Sequence, residues 1–427
     1  MSERFADSAS PAEAFLERFG RALDEALGAP LRDCDALPVG RPQPRASRRE
    51  ARIVAALSGG CDSVVLAWAL RALLPARSAD RTRDRDSVMR EAAREAEPQA
   101  GRLLLAHVHH GLRRESDEEE RFVRSLAEAW GLEIRVARID VRGAAAEHGW
   151  SREQAARILR LRALERICRD EGLTVLALGH QMDDQAETML LRLLRGTGPR
   201  GLGAMAPAMA LPPSTKTLEA ERERAPASAP PLRVIRPLLG FRRALLREVA
   251  QSAKLEWRED RTNLDPEILR NRIRLELLPH LAERYNPRIV ESLADLARRQ
   301  RIEREYIAEK AAALKAAAWR APSPEDGDGE ITPPGIAEGE EKARPIVTLD
   351  AATLAREPDA VASQALWLAY QELAGPEAAL PGRRVEELLD LARRAARRER
   401  GEVHLPGEIR VRARRGRLRF EPHVARP

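Results

Sequence analysis

Two patterns of apolar positions run through this chain. Short apolar runs at 52–57, 103–108, 133–139 and 174–178 alternate with segments of helical period at 64–74, 117–130, 151–170 and 184–194. Strands alternating with helices predict an α/β fold, a doubly wound parallel sheet whose ligand sites lie at the carboxyl ends of the strands. After another apolar run at 233–239 the pattern is mostly helical to about residue 320. From 345 onward it changes again. Helices at 358–373 and 383–398 are followed by short alternating strands at 402–405, 409–413 and 418–421, the signature of a small α+β module. An amphipathic helix is expected at 11–27.

The stretches without either pattern mark the joints. Residues 78–100 and 212–231 are charged or rich in Pro, Ala and Ser, and read as loops inserted in the sheet domain. Residues 321–344 carry Pro, Gly and acids, a linker by composition. The expected organisation is an N-terminal helical extension (1–49), an α/β domain (50–240), a helical domain (241–320), the linker and a C-terminal domain (345–427). A chain of 427 residues is long enough for such a division.

Charge adds a partner class. The whole chain has 73 basic and 67 acidic residues, a net of +6, but from 383 to the end 14 arginines face 7 acids. A clustered cationic surface suits a polyanion. Arg393, Arg394, Arg397 and Arg398 are spaced helically among Glu386, Glu387 and Asp390, as on a solvated face; Arg410, Arg412, Arg414, Arg415, Arg417 and Arg419 lie in a strand-and-turn pattern with few acids. Three isolated cysteines argue for reduced thiols and against a zinc ribbon or a cysteine-held cluster. With no stretch of signal-peptide or transmembrane character, a cytoplasmic protein without membrane partners is expected.

Candidate chemistry begins at the first strand end, with Ser58-Gly59-Gly60-Cys61-Asp62-Ser63. A loop of small residues between strand and helix gathers backbone N–H groups at the positive end of a helix dipole, as phosphate binding requires. Asp62 beside a phosphate implies a cation between them, Mg²⁺. The spacing is neither that of a P-loop nor that of a dinucleotide fold, and it is not a nucleophile elbow. A tight turn with an N-cap is the bland alternative.

Two other strand ends carry polar clusters. His107-Val108-His109-His110-Gly111-Leu112-Arg113 closes the second strand, with His107 and His109 on one side by period two. Gly179-His180 leads to Asp183, Asp184 and Glu187; Asp183 is placed to cap a helix, and Asp184 and Glu187 share one helical face. Two carboxylates so placed can hold Mg²⁺, or hold an ammonium group and take its proton. A dinuclear metal hydrolase would use the same histidines and acids, yet it leaves the phosphate loop and Arg113 unexplained. Farther on, Arg192, Arg195 and Arg200 stand among Gly196, Gly198 and Gly201, a cationic turn suited to phosphate oxygens. Arg270-Asn271-Arg272-Ile273-Arg274 sets two arginines one turn apart beside an amide able to read a base edge.

The Ser-Gly-Gly-x-Asp-Ser segment resembles the signature of the PP-loop ATP pyrophosphatases, which split ATP to AMP and pyrophosphate. All these segments in this order, from about 52 to 279, resemble the tRNA(Ile)-lysidine synthetase family, with a weaker likeness in the C-terminal module. The resemblance implies a PP-loop sheet domain, a helical domain and an appended tRNA-binding module. The implied reaction adenylates the carbonyl oxygen on ring carbon 2 of the wobble cytidine in a CAU anticodon, then displaces AMP from that carbon with the side-chain amine of free L-lysine. Ser58, Gly59, Gly60, Cys61, Asp62 and Ser63 would bind ATP, with Asp62 and Asp184 on Mg²⁺. Asp184 or Glu187 would take the lysine proton, and His109, Arg113 and His180 would hold the adenylate. Arg195, Arg200, Arg270, Asn271 and Arg274 are the expected tRNA contacts; a homodimer is compatible with the sequence. The rival within the superfamily is tRNA thiolation, which generally needs a persulfide-carrying cysteine pair or a cluster.

Overall fold

A strand that is apolar on both faces is stable only where helices cover it twice. In a computed structural model that describes residues 10–28, 52–74, 103–111, 115–197, 199–211, 231–259, 266–320, 346–375, 378 and 380–423, the apolar runs form the centre of such a sheet. The elements up to the end of the sheet are, in order, α1 (Pro11–Gly28), β1 (Ile53–Ala56), α2 (Cys61–Leu73), β2 (Leu103–His109), α3 (Glu115–Trp130), β3 (Ile134–Arg138), α4 (Val141–His148), α5 (Arg152–Asp170), β4 (Val175–Ala177), α6 (Met182–Leu194), α7 (Pro199–Leu202), β5 (Ala208–Leu211) and β6 (Leu232–Ile235). Then follow α8 (Arg243–Ser252), α9 (Leu269–Arg272), one π-helical turn (Ile273–Leu277), α10 (Leu278–Arg284) and α11 (Ile289–Ala318). The remaining elements are β7 (Trp319–Arg320), β8 (Val347–Asp350), α12 (Ala351–Ala355), α13 (Asp359–Ala374), α14 (Gly382–Ala396), β9 (Gly401–Leu405), β10 (Ile409–Arg414) and β11 (Arg417–Pro422). Packing divides them into two units, one from residues up to 297, the other from 298 onward together with 199–203.

In the first unit the sheet order is β3-β2-β1-β4-β6-β5, parallel except for β5 at the edge. Alternation along the strands supplies two cores. Ile53, Ala55, Leu105, Val175 and Ala177 face a core with α2 and α8, while Val54, Leu104, Ala106 and Leu176 face Leu164, Ile167 and Cys168 of α5. The chain leaves β1 for β2 on one side and returns through β4 on the other, so the crevice beyond β1 and β4 is the topological switch point.

The helix expected as an N-terminal extension lies inside the first core. Phe15, Phe19, Leu23, Ala26 and Leu27 repeat along one face of α1 and are buried there, Phe15 with its ring centroid 5.0 Å from that of Phe241. Each such aromatic contributes roughly 2 kcal/mol by leaving water. Arg233 closes the helix end by donating from Nη1 to the Ala26 carbonyl at 3.3 Å. Residues 241–297, expected as part of a separate helical domain, also join this unit, because Leu246, Val249 and Ala250 of α8 pack into the same core as α2.

The second unit holds a five-stranded antiparallel sheet, β7-β8-β11-β10-β9, with α13 and α14 in its core. Ile409, Val411, Ala413, Leu418 and Phe420 face that core, and the arginines between them face the other way. Among the described residues no helix is long and apolar enough to cross a membrane.

Candidate active site

The Ser58–Ser63 loop follows β1 at the switch point. Gly59 adopts φ +90°, and a Cβ there would sit 3.3 Å from Cδ1 of Phe122. Gly60 occupies the N-cap of α2 and offers no side chain to its first N–H groups, so no side chain caps them. The two hydroxyls are set in advance: Ser58 Oγ and Ser63 Oγ are hydrogen-bonded at 3.1 Å, Ser58 N–H donates to Ser63 Oγ at 3.1 Å, and Ser63 Oγ donates to the Gly60 carbonyl at 2.9 Å. Gly179, at the end of β4, lies against Ser63 so closely that a Cβ would be 3.3 Å from its Cα and N. Cys61 turns its thiol away, toward the Leu246 carbonyl, and burial with the nearby Asp62 charge pushes it up to about 12. It supplies backbone to the loop, not a nucleophile.

Asp62 is the strained member. Its Oδ1 is buried with no partner, while Oδ2 lies 4.0 Å from Nε of Arg243. Burial, then the facing charge of Asp184, raise its carboxyl to about 6 against the pull of Arg243 and Arg274.

The acidic pair sits at the start of α6. Here the sequence reading needs correcting: Asp183 does not cap. Gln181 accepts from Asp183 N–H, and Asp184 Oδ2 accepts from Gln181 N–H at 3.1 Å, a reciprocal capping box. Asp183 instead receives Arg242 at 3.2 and 3.3 Å and the Arg243 N–H at 2.9 Å, which ties α6 to the start of α8. Glu187 is wholly buried, and three guanidiniums close on it: Arg274 Nε at 2.6 Å, Arg270 Nε at 2.9 Å and Arg243 Nη2 at 3.3 Å. The same three arginines lie 3.3–3.4 Å from Asp184 Oδ1. A buried carboxylate needs such pairing to stay charged.

This arrangement revises the expected tRNA contacts. Arg270 and Arg274 share a helical face, as their spacing requires, and that face docks on α6 while leaving 28% and 20% of the two side chains exposed; Asn271 is 5% exposed. Arg274 lies in the π-helical turn, a local geometry often found at functional sites. Arg195 is exposed at the C-cap of α6. Arg113 and the Arg200 side chain lie outside the described residues.

The histidines differ from one another. His180 Nδ1 accepts from Arg236 Nε at 3.3 Å, and burial together with the charges of Arg236, Arg160, Arg270 and Arg157 holds the ring well below its ordinary range, hence neutral. His109, expected at the adenylate, is buried in a local bond: Gly111 N–H donates to Nδ1, so the proton sits on Nε2 and is given to Asp117 at 3.0 Å. His107 donates from Nδ1 to the Leu57 carbonyl at 2.9 Å, bracing the backbone just before Ser58, and burial lowers its basicity. Bonded to these separate partners, the three rings share no common centre, and among the described residues no group of three His, Cys, Asp or Glu could hold a metal.

The sequence reading overlooked His107 as a brace, Gln181 as a cap, and Arg236, Arg242 and Arg243 as site residues. A signal existed for the last two. Arginines at a helix start oppose the macrodipole, so their presence there marks an acidic partner elsewhere.

The sequence profile of the PP-loop domain family matches residues 40–281. A tRNA(Ile)-lysidine synthase of Bradyrhizobium sp. is 36% identical over 291 residues, 65% of this chain and 67% of that protein. One from Symbiobacterium thermophilum is 32% identical over 372 residues, 86% of this chain and 65% of that one. One from Dehalococcoides mccartyi is 38% identical over 242 residues, covering 56% and 44%. The chain thus spans about half to two thirds of the length of these relatives.

Proposed function

The chain belongs to the PP-loop family and, within it, to the tRNA(Ile)-lysidine synthases, and from that premise we propose that it ligates free lysine to ring carbon 2 of the wobble cytidine of a tRNA(Ile) with a CAU anticodon, consuming ATP. The observation that carries the reading is the juxtaposition at one switch point of a phosphate loop and an acid pair, with Asp62 raised toward 6 by burial and by Asp184.

In the first step the cytosine carbonyl oxygen attacks the α-phosphorus of ATP and pyrophosphate leaves. The N–H groups at the start of α2 and the hydroxyls of Ser58 and Ser63 receive the departing phosphates. Asp62 and Asp184 fit Mg²⁺, since the orphaned Oδ1 of Asp62 and the repulsion between the two carboxyls are what a divalent cation relieves. Bound there, it would neutralise phosphate charge. In the second step the lysine side-chain nitrogen attacks carbon 2 and AMP leaves with the former carbonyl oxygen. Free lysine has a pKa of about 10.4, so its ammonium must lose a proton on the way. Asp184, partly accessible where Glu187 is sealed, is the acceptor; Glu187 anchors the arginines around it. His180, neutral, contributes hydrogen bonding and no charge.

Thiolation is disfavoured by the two described cysteines, whose thiols are both pushed up to about 12 by burial and so carry little thiolate. A cytoplasmic location follows from the tRNA substrate. The test is incorporation of radiolabelled lysine into a tRNA(Ile) transcript with ATP, reading AMP release in parallel. Pyrophosphate release that depends on tRNA but yields no lysine-labelled RNA would overturn the reading.

A further inference from the structure

Helix α5 points one stripe of side chains toward the sheet. In its C-terminal half the stripe is Leu164, Ile167 and Cys168, all in the core. Continued toward the N-terminus at helical spacing, the same stripe is Arg160 and Arg157. A crossover helix between parallel strands runs against them, so this cationic half overlies the carboxyl ends of the strands. His180 follows β4 at that end and Arg236 follows β6, joined to each other at 3.3 Å.

Arg157 and Arg160 differ from the other arginines of the site. Arg242, Arg243, Arg270 and Arg274 each hold a carboxylate. Among the described residues no hydrogen bond or ion pair engages Arg157 or Arg160; both side chains reach solvent, although the protein packed around the Arg160 guanidinium desolvates it and lowers its pKa. They act electrostatically on each other, and with Arg236 and Arg270 they act on His180, so the four guanidiniums share one neighbourhood. Asp184 also acts on Arg160, but that carboxylate already holds Arg243, Arg270 and Arg274, so the cations here outnumber the acid they face and repel one another until a further anion enters. Planar guanidiniums favour phosphate, which they can bind with two parallel N–H bonds.

We propose that Arg157 and Arg160 form a phosphate site, distinct from the Ser58–Ser63 loop, that takes a backbone phosphodiester of the RNA beside the nucleotide under modification. The identity of the RNA rests on the function proposed above; the chemistry of the site is a phosphate oxyanion. A phosphate of the nucleotide substrate is the other source of that chemistry, and the experiment separates the two.

The Arg157→Gln/Arg160→Gln variant of the full chain is titrated with tRNA(Ile) across a range of KCl, and separately with a non-hydrolysable ATP analogue. The expected result is tRNA affinity at least about 10-fold weaker at low salt. The slope of log affinity on log salt should be shallower by roughly 0.7–0.9 for each phosphate that the variant no longer neutralises, with analogue affinity within about twofold of wild type. Arg157→Lys/Arg160→Lys keeps the charge and should keep the slope. Should the double variant lose its thermal transition, each single Gln variant reads half the effect. A weaker analogue with an unchanged tRNA slope assigns the site to the nucleotide and overturns the RNA assignment; no change in either overturns the site. A shallower slope in a protein whose wild type makes no lysine-labelled RNA leaves the phosphate site standing and removes only the lysidine reading.

Discussion

Arg274 grips Glu187 with two nitrogens, Nε at 2.6 Å from Oε1 and Nη2 at 3.0 Å from Oε2, and no part of that carboxylate side chain meets water. Glu187 is therefore an anchor, and its removal strands three guanidiniums. Glu187→Ala is expected to destabilise the fold by about 3–5 kcal/mol, the range for breaking a buried pair, read by denaturant unfolding. Glu187→Gln, which keeps the shape, should slow pyrophosphate release and lysine incorporation together. If only lysine incorporation fell, Glu187 and not Asp184 would be the proton acceptor.

Asp62 makes a prediction in pH. Its folded-state value of about 6 lies above the ordinary 3.8, so the folded chain holds this proton more tightly than the unfolded one. Stability from this group is greatest with the proton on, falls as pH rises between those values, and stays lower by on the order of 3 kcal/mol above them. Asp62→Asn should remove that penalty and raise the melting temperature at pH 7.5 in chelator, while abolishing pyrophosphate release. Wild-type pyrophosphate release should decline with falling pH, at a pH that moves lower as Mg²⁺ is raised, because the cation and this proton compete for the same carboxylate. A variant no more stable than wild type at pH 7.5 would mean that the charge is already compensated.

Gly179 is needed for closeness alone. A Cβ at this position meets the Cα and N of Ser63, backbone atoms that cannot swing aside as a side-chain tip can. Gly179→Ala should push the phosphate loop outward and weaken ATP-analogue binding about 10-fold or more, equivalent to roughly 1.4 kcal/mol. The melting temperature should change little. Unchanged nucleotide affinity would show that the loop yields freely at this point.

How much of this was legible beforehand depends on sequence distance. The Ser58–Ser63 loop, Asp184 and Glu187 could be placed because each lies at a strand end marked by apolar period and small residues. The direction of Arg270 and Arg274 could not, since spacing defines a helical face and not what covers it. Arg243 meets Asp184 and Glu187 across more than fifty residues of intervening chain, and no local pattern encodes that pairing. His107 and His109 share a side of β2 by period, but only the bonds to Leu57 and Asp117 tell their tasks apart. Strands β5 and β8, four residues each, are too short for period two to stand out.

The sheet of the second unit carries the last prediction. Its register sets Arg412 opposite Arg419 and Arg414 opposite Arg417, while Arg410 faces Glu421. Like charges directly opposite destabilise a strand pair. Acids compensate part of it: Glu421 Oε1 is 2.8 Å from Arg410 and 3.4 Å from Arg412, its Oε2 is 3.0 Å from Arg419, and the register sets Glu402 opposite Arg412 and Asp350 opposite Arg417. Arginines still outnumber acids along these strands, and we propose that this surface binds tRNA. Arg412→Gln, Arg414→Gln and Arg417→Gln together should leave the fold as stable or more stable, by up to about 1 kcal/mol. The same variant should weaken tRNA binding and flatten its salt dependence. At saturating tRNA, lysine incorporation should stay near the wild-type rate, because none of these side chains belongs to the α/β site. If affinity and salt slope held steady, the arginines would be a solvated face. If the rate at saturation collapsed instead, this sheet would position the tRNA for catalysis, and the separation between holding the RNA and transforming it would be wrong.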